Sequence, residues 1–171
     1  VSGGDGRTSQ LSGNYGFRVG QKGYVNLTGS YANRGYTNRA AANSDLGVYR
    51  PSTFAYFGSA AARAQDSVLI SKNGFSREDF RFRVGDAAMQ SAGLFFNANV
   101  PIGETGTEFY AFGGLNRKLG VGAAFRRMPN DPSNVAAIYP NGFLPNTRSD
   151  ITDRSLVLGM RGKVGEWNAD F

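Results

Sequence analysis

Few side chains in this sequence have the chemistry of a catalytic site. There is no histidine and no cysteine, which excludes histidine-based triads, the commonest zinc sites, disulfides and thiolate metal sites. The serine and threonine hydroxyls therefore have no histidine to activate them. Four carboxylates lie near predicted short turns, where solvated side chains are common, and their spacing suggests no paired general acid and base: Glu104, Glu108, Glu166 and Asp170. We predict that the chain is not an enzyme and has no catalytic residue, cofactor or metal site.

The composition is typical of strands and turns. Of 171 residues, 24 are glycine and 13% are aromatic, and the mean hydropathy is −0.35. Long helices do not carry so much glycine, whereas strand-rich proteins with aromatic belts do. The net charge is +6, but the basic residues are scattered without forming a stripe, so we expect no nucleic-acid partner. No apolar run reaches about 18 residues, so no transmembrane helix is predicted.

Alternation of apolar and polar residues is clearest between Asp153 and Val164. Side chains along a strand point to opposite faces in turn, so Leu158 lies on an apolar face while Arg161 lies on a polar one. A soluble antiparallel sheet would place such an apolar face on a core. A transmembrane barrel strand would place it against lipid, with the polar face in a wet lumen.

The same alternation predicts six strands, at about 9–19, 24–32, 80–100, 107–117, 151–164 and 167–171. Asn33 to about Asp79 and Lys118 to about Ser149 show no such periodicity, although residues 59–65 could form one or two helical turns. In the strand 107–117 both faces carry aromatic residues, and we favour Phe109, Ala111, Gly113 and Leu115 as its apolar set, opposite Tyr110 and Phe112.

The connections alternate in length, which favours the barrel. They are short at Gly20, Pro101 and Gly165 and long at about 33–79 and 118–150, as in outer-membrane proteins. We therefore predict an all-β, antiparallel up-and-down meander of about six long strands, part of a large transmembrane β-barrel with short periplasmic turns and long extracellular loops. The residues predicted to face lipid are Leu11, Tyr15, Phe17, Val25, Leu27, Leu94, Phe96, Leu156, Leu158 and Met160. Those predicted to face the lumen are Asn14, Arg18, Asn26, Thr28, Asn97, Arg161 and Lys163.

Three segments resemble the β-barrel domain of TonB-dependent receptors, the outer-membrane transporters of Gram-negative bacteria. They are Gly6–Ala40, Arg83–Gly120 and Arg126–Phe171, and together they cover most of the chain. The last contains YPNGFLP, then a D-x-S-L-x-x-G-x-x-G strand and a G-x-W-N-x-D turn. Residues Ser44–Arg77 resemble no segment of the family.

The resemblance implies that residues 1–171 are an internal slice of a 22-stranded barrel, without the N-terminal plug that engages TonB. It implies TonB-driven import of a scarce nutrient, an iron chelate, cobalamin or oligosaccharide, across the outer membrane. Outer-membrane lipid, lipopolysaccharide, the TonB complex through the absent plug, and the small-molecule or oligosaccharide ligand are the expected partners. Expected ligand contacts come from loop arginines and tyrosines: Arg39, Tyr49, Arg50, Tyr56, Arg126, Arg127 and Tyr139. A passive porin-like or small structural barrel and a soluble carbohydrate-binding β-sandwich remain alternatives.

Overall fold

A computed structural model of the chain describes residues 4–42, 47–49, 60–104 and 106–171. These residues form one sheet in the order β1-β2-β3-β4-β5-β6. The strands are β1 Thr8–Val19, β2 Gly23–Arg34, β3 Ala88–Ile102, β4 Thr107–Ala123, β5 Asn146–Val164 and β6 Trp167–Asp170. One α-helix, α1, spans Ala60–Lys72, and a short 3-10 helix spans Arg77–Phe80. The predicted all-β, six-stranded antiparallel meander is confirmed. Within the described ranges, no helix is both long and apolar enough to cross a membrane.

The chain divides into two units, which we name by their content. The sheet unit consists of Arg7–Arg34, Met89–Gly120 and Ser149–Phe171. The loop unit consists of Val1–Gly6, Gly35–Ala88 and Val121–Arg148.

Strand pairing in the sheet unit matches like with like across neighbouring strands. Tyr15 lies opposite Leu27, and Leu27 lies opposite Phe96. On the other side of the sheet, Asn14 lies opposite Thr28 and Asn26 opposite Asn97. The first side we call the apolar face and the second the polar face. The registers of β1, β2 and β3 therefore keep the two predicted sets of residues on separate faces.

The apolar face is open. The relative exposure is 74% for Leu11, 47% for Leu27 and 58% for Leu158. These side chains have no second protein layer over them, so among the described residues the face buries little apolar surface. Such a surface differs from the half-buried sheet of a soluble sandwich.

Contacts fix the facing of β4, which alternation left ambiguous. An added Cβ on Gly113 would meet the ring of Phe96 at 3.2 Å, so Gly113 lies on the apolar face. Glu108 forms a hydrogen bond with Asn99, and Tyr110 forms one with Asp170; both partners lie on the polar face. The favoured set of Phe109, Ala111, Gly113 and Leu115 therefore shares the apolar face.

The predicted strand at 80–100 is wrong in its first part. Strand β3 begins at Ala88, and Phe80 ends the 3-10 helix with 3% relative exposure. Phe80 is part of an alternating stretch of sequence but is buried in the core of the loop unit. The alternation at this point therefore does not reflect a β-strand. Gly85, with φ of +156°, interrupts the extended chain ahead of β3.

The second long connection is shorter than predicted because the strands beside it are longer, whereas the first is longer than predicted because β3 begins only at Ala88. Strands β4 and β5 have 17 and 19 residues and extend beyond the apolar alternation, so the second long connection runs over residues 124–145. The first runs over residues 35–87. Helix α1 has 13 residues and exceeds the predicted one or two turns.

The loop unit has a small hydrophobic core of its own. Val48, Ile70, Phe80 and Met128 are buried, with exposures between 2% and 7%. Tyr49, Phe75 and Phe82 pack against this cluster. Both long connections contribute to it, since Met128 comes from the second and the other three buried residues come from the first.

The close approach of β4 to β5 at Gly113 generates a prediction. In Gly113→Ala the added Cβ would overlap the carbonyl oxygen of Ser155 and lie 3.1 Å from the Leu156 Cα, so backbone must move. We expect a loss of about 1–3 kcal/mol in the free energy of unfolding, as overpacking costs elsewhere. Urea unfolding of the chain in detergent micelles would measure it.

Gly29→Ala is the matched control in that experiment. It lies on the same face, and its added Cβ would meet only the Leu94 Cδ2 at 3.6 Å, an ordinary contact. Equal unfolding midpoints for the two variants would contradict the β4–β5 contact.

Candidate functional site

Polar side chains of the polar face are joined by hydrogen bonds across neighbouring strands. The Asn14 amide donates to the Thr28 hydroxyl at 2.8 Å, and the Asn26 amide donates to the Asn97 side-chain oxygen at 3.0 Å. Amides and hydroxyls both donate and accept, so they fix one another while leaving capacity for water or a polar ligand. The predicted lumen-facing residues of β1, β2 and β3 thus form a cross-linked polar surface.

A second group lies on β3, β4, β5 and β6. The Glu108 carboxylate accepts hydrogen bonds from the Asn99 amide at 3.1 Å and from the Arg161 guanidinium at 2.8 Å. The Tyr110 hydroxyl donates to Asp170 at 2.8 Å, and Arg161 lies over the Tyr110 ring at 5.8 Å. Two of the four carboxylates considered as acids or bases, Glu108 and Asp170, are thus held by neighbouring side chains, and Glu108 neutralises the arginine.

The polar face also carries aromatic side chains, among them Tyr110 and Phe112, which the favoured facing of β4 places opposite its apolar set. Tyr110 and Phe112 stack nearly parallel, with ring centroids 6.4 Å apart. A depression of about 310 Å³ beside them is lined by Phe95, Asn97 and Arg161, among others. Phe95 lies on this face because it alternates with Leu94 and Phe96 along β3, and it pairs with Thr28 of β2.

In the loop unit, Asp66 organises the polar interior. Its carboxylate is fully buried on α1 and accepts the backbone N–H groups of Val48, at 3.2 Å, and Tyr49, at 2.9 Å. The Arg77 guanidinium pairs with it at 3.2 Å and also donates to the Ser67 hydroxyl at 3.1 Å. A buried carboxylate needs such partners because an unpaired charge in the interior costs much free energy. The cluster therefore holds residues 47–49 against α1.

Three of the predicted ligand contacts have partners inside the loop unit. The Arg39 guanidinium pairs with Asp5. The Tyr49 ring packs on Phe80, and its hydroxyl donates to Asn141 at 2.9 Å. Burial raises the pKa of the Tyr49 phenol. Arg126 donates to the Arg81 carbonyl at 3.2 Å, and burial lowers the pKa of its guanidinium.

Two more of the predicted contacts have partners inside the loop unit, and the last two lie outside the described residues. Arg127 pairs loosely with Asp131 at 3.4 Å, and Tyr139 stacks on Phe143 with ring centroids 4.3 Å apart. Tyr139 keeps 44% exposure. Arg50 and Tyr56 fall outside the described ranges. The Arg39 side chain, with 51% exposure, is more open than that of Arg127, with 40%, but Arg127 has the longer ion pair. A ligand role stays a prediction for all seven.

Charged residues on the apolar face were also missed. Arg154 lies two residues from Leu156, so it shares the apolar face, and Arg117 shares the face of Leu115. Arg117 forms a two-point ion pair with Asp150, with nitrogen–oxygen distances of 3.0 and 2.7 Å. The sequence does show that Arg154 shares the apolar face. It occupies the same alternating series as Leu156 and Leu158, one step closer to the N-terminus.

The described residues contain no cluster of three or more acidic side chains that would suit a metal ion. Comparison of the chain with protein-family models, with curated proteins and with solved structures finds no match. The chemistry available is therefore that of a polar, hydrogen-bonded surface with an aromatic patch, and of a folded loop unit with exposed aromatic and basic groups.

The buried Asp66 cluster generates a prediction about the loop unit. Asp66→Asn would remove the charge that faces Arg77 and turn an amide N–H₂ towards backbone donors. We expect a loss of about 3–5 kcal/mol in local stability, as for one partner removed from a buried pair. Amide hydrogen exchange of α1 would report it. Glu78→Gln, which removes a pair whose carboxylate is 62% exposed, should cost less than about 1 kcal/mol. Equal losses of stability in the two variants would contradict the role of Asp66 in holding residues 47–49 against α1.

Three aspartates of the loop unit share a lowered pKa. Hydrogen bonds from the Ser76 backbone N–H and hydroxyl lower the pKa of Asp79, at 2.7 and 2.8 Å. The Arg39 guanidinium and the Asn38 N–H lower the pKa of Asp5. The Ser133 N–H, at 2.8 Å, lowers the pKa of Asp131.

These shifts fix the sign of the pH dependence. A depressed carboxyl pKa stabilises the fold above the unfolded value of about 3.9, and this stability is lost as pH falls through the folded value. We expect the stability of the loop unit to be level between about pH 7 and 5 and to fall below about pH 4. Hydrogen exchange of α1 at stepped pH would measure it. Asp79→Asn should flatten that fall, and an unchanged profile would exclude Asp79 as a contributor.

Proposed function

We propose that the chain supplies six neighbouring strands to the wall of a large outer-membrane β-barrel, in an active transporter of the TonB-dependent receptor type. The observation that carries this proposal is the division of one sheet into an exposed apolar face and a hydrogen-bonded polar face. In a barrel wall the first lies against lipid and the second lines a wet lumen.

The energetic cost of the alternatives supports this orientation. A monomeric soluble protein rarely exposes a continuous apolar patch larger than a few hundred Å², whereas this face runs along β1 to β5. In lipid, an arginine at the midplane would cost about 2–4 kcal/mol. Arg18 and Arg161 avoid this cost because they lie on the polar face.

The open sheet supports membership in a larger barrel. Among the described strands, β1 pairs with β2 and β6 with β5, so each has a second edge with unpaired backbone groups. Single-chain bacterial barrels have at least about eight strands, and an open edge within lipid would leave several polar groups unsatisfied. Further strands beside β1 and β6 would remove both edges.

The transport activity rests on the sequence resemblance and on the loop unit. In this proposal the loop unit takes part in capturing an iron chelate, cobalamin or an oligosaccharide, and the polar face lines the route inward. TonB supplies energy through a plug domain elsewhere in the protein. Arg127 and Tyr139 are the described ligand-contact candidates that we favour, since Tyr139 is 44% exposed and the ion pair of Arg127 with Asp131 is long, at 3.4 Å.

Trp167 gives a direct test, because it is the single tryptophan of the sequence and is 80% exposed beside the short Gly165–Glu166 turn. In vesicles of brominated phosphatidylcholine we expect strong quenching of its fluorescence. Quenching should be stronger for bromines near the headgroup than for bromines near the chain ends, because interfacial belts hold tryptophan at the headgroup level. Iodide in the water should quench it weakly.

Two adjacent residues of β5 provide the matched control. The chain has no cysteine, so Leu158→Cys and Val157→Cys can each carry one fluorescent label, on the apolar and the polar face. Nitroxide lipids should quench the label at 158 and aqueous iodide the label at 157. Equal quenching at both positions would refute the barrel wall.

A steady ion conductance in planar bilayers would favour the passive-porin alternative, and a folded chain that stays monomeric without detergent would favour the soluble sandwich.

A further inference from the structure

Two arginines interrupt the apolar face at one end. Strand β5 presents Leu156, Leu158, Met160, Gly162 and Val164 in succession, and the next position of that series beyond Leu156 is Arg154. Arg117 lies on the same face of β4. A guanidinium on a lipid-facing surface is tolerated only near the headgroups, where an anion and water are available.

The spacing along β5 places the Arg154 end of the apolar face at the membrane surface opposite the short turns. Arg154 and Val164 are ten residues apart, and Val164 pairs with Trp167, the expected interfacial residue at the short-turn end. Ten residues rise about 33 Å along a strand. At the tilt of about 40° found in barrels this is about 25 Å along the membrane normal, the height of their apolar band. Arg154 therefore lies at the opposite headgroup layer from Trp167.

The two arginines differ in their partners. Arg117 is paired with Asp150. Arg154 is exposed and forms no ion pair with any described residue. Asp150 is four residues away along the strand, about 13 Å, which is too far for a direct pair. The Arg154 guanidinium thus presents its donors to whatever lies outside the sheet.

A depression of about 1090 Å³ adjoins these arginines. Its lining includes Leu11, Tyr31, Leu94 and Leu115, together with the charged residues Arg117, Asp150 and Arg154. Apolar walls beside a guanidinium match a molecule with a hydrocarbon chain and an anionic head. Phosphate suits this role, because guanidinium binds it through two parallel hydrogen bonds.

We propose that this depression binds a phosphate-bearing lipid of the outer leaflet, with the phosphate on Arg154 and an acyl chain along Leu94 and Leu115. The proposal rests on the barrel-wall function, because it requires the apolar face to lie in the bilayer. The size and apolar lining of the depression favour a lipid headgroup over free phosphate. Arg117 and Asp150 form a neutral pair at the rim, so Arg154 supplies the positive charge for the phosphate.

Native mass spectrometry of the full chain in non-ionic detergent, titrated with diphosphoryl lipid A, would test the site. We expect retention of one lipid by the unaltered chain and about tenfold weaker retention of the same lipid after enzymatic removal of its phosphates, since one charge-assisted contact is lost. Arg154→Gln should weaken the retention of diphosphoryl lipid A by a similar factor, and Arg154→Lys should weaken it by less. Arg18→Gln, the matched removal of a cation from the polar face, should leave retention within about twofold.

Several results would overturn the lipid site. Equal retention of the phosphorylated and dephosphorylated lipids by the unaltered chain would exclude a phosphate contact, whatever the variants do. Displacement of the lipid by millimolar inorganic phosphate would indicate a free-anion site instead. Equal losses in Arg154→Gln and Arg18→Gln would indicate general charge attraction. Quenching of Trp167 by brominated lipid separates the two proposals. It should still be observed if only the lipid site is wrong, and it should be absent if the barrel wall is wrong.

Discussion

The alternation of side chains along a β-strand is the constraint on which this structure depends. Each residue leaves the backbone on the opposite side from its neighbour, so one strand serves two environments at once. Antiparallel pairing then keeps each set in line, as Tyr15, Leu27 and Phe96 do on one face and Asn26 and Asn97 on the other. A shift of the register by one residue would invert both faces. Glycines such as Gly113 contribute by letting neighbouring strands approach where a side chain would collide.

The loop unit follows a different rule. Its residues are ordered by a small core around Phe80 and by the buried Asp66, which takes the place of regular backbone pairing for residues 47–49. Irregular backbone needs such internal partners, because its N–H and C=O groups are not satisfied by a ladder. Tyr49 and Arg126, which we expect to meet a ligand, also contribute to this interior.

The sequence predicts the sheet well and the loop unit poorly, for physical reasons. Strand faces follow from local spacing, so Leu158 and Arg161 could be placed without knowing their neighbours. Phe80 and Phe82 have the same spacing, yet Phe80 is buried by contacts with residues distant in sequence, which no local pattern records. The charge on the apolar face at Arg154 was readable from the period of β5. The pairing of Arg117 with Asp150 was not, because it depends on the register of two strands.

The long connection between β2 and β3 is narrow at its base. Thr37 donates its backbone N–H to the Asp86 carbonyl at 3.1 Å, and Arg39 donates to the Val84 carbonyl at 2.7 Å. Once these bonds form, the chain between them behaves as a closed side branch, and its length adds little to the entropy of bringing β2 beside β3. Pairing of β2 with β3 then costs about the entropy of a short connection and not that of the whole segment 35–87.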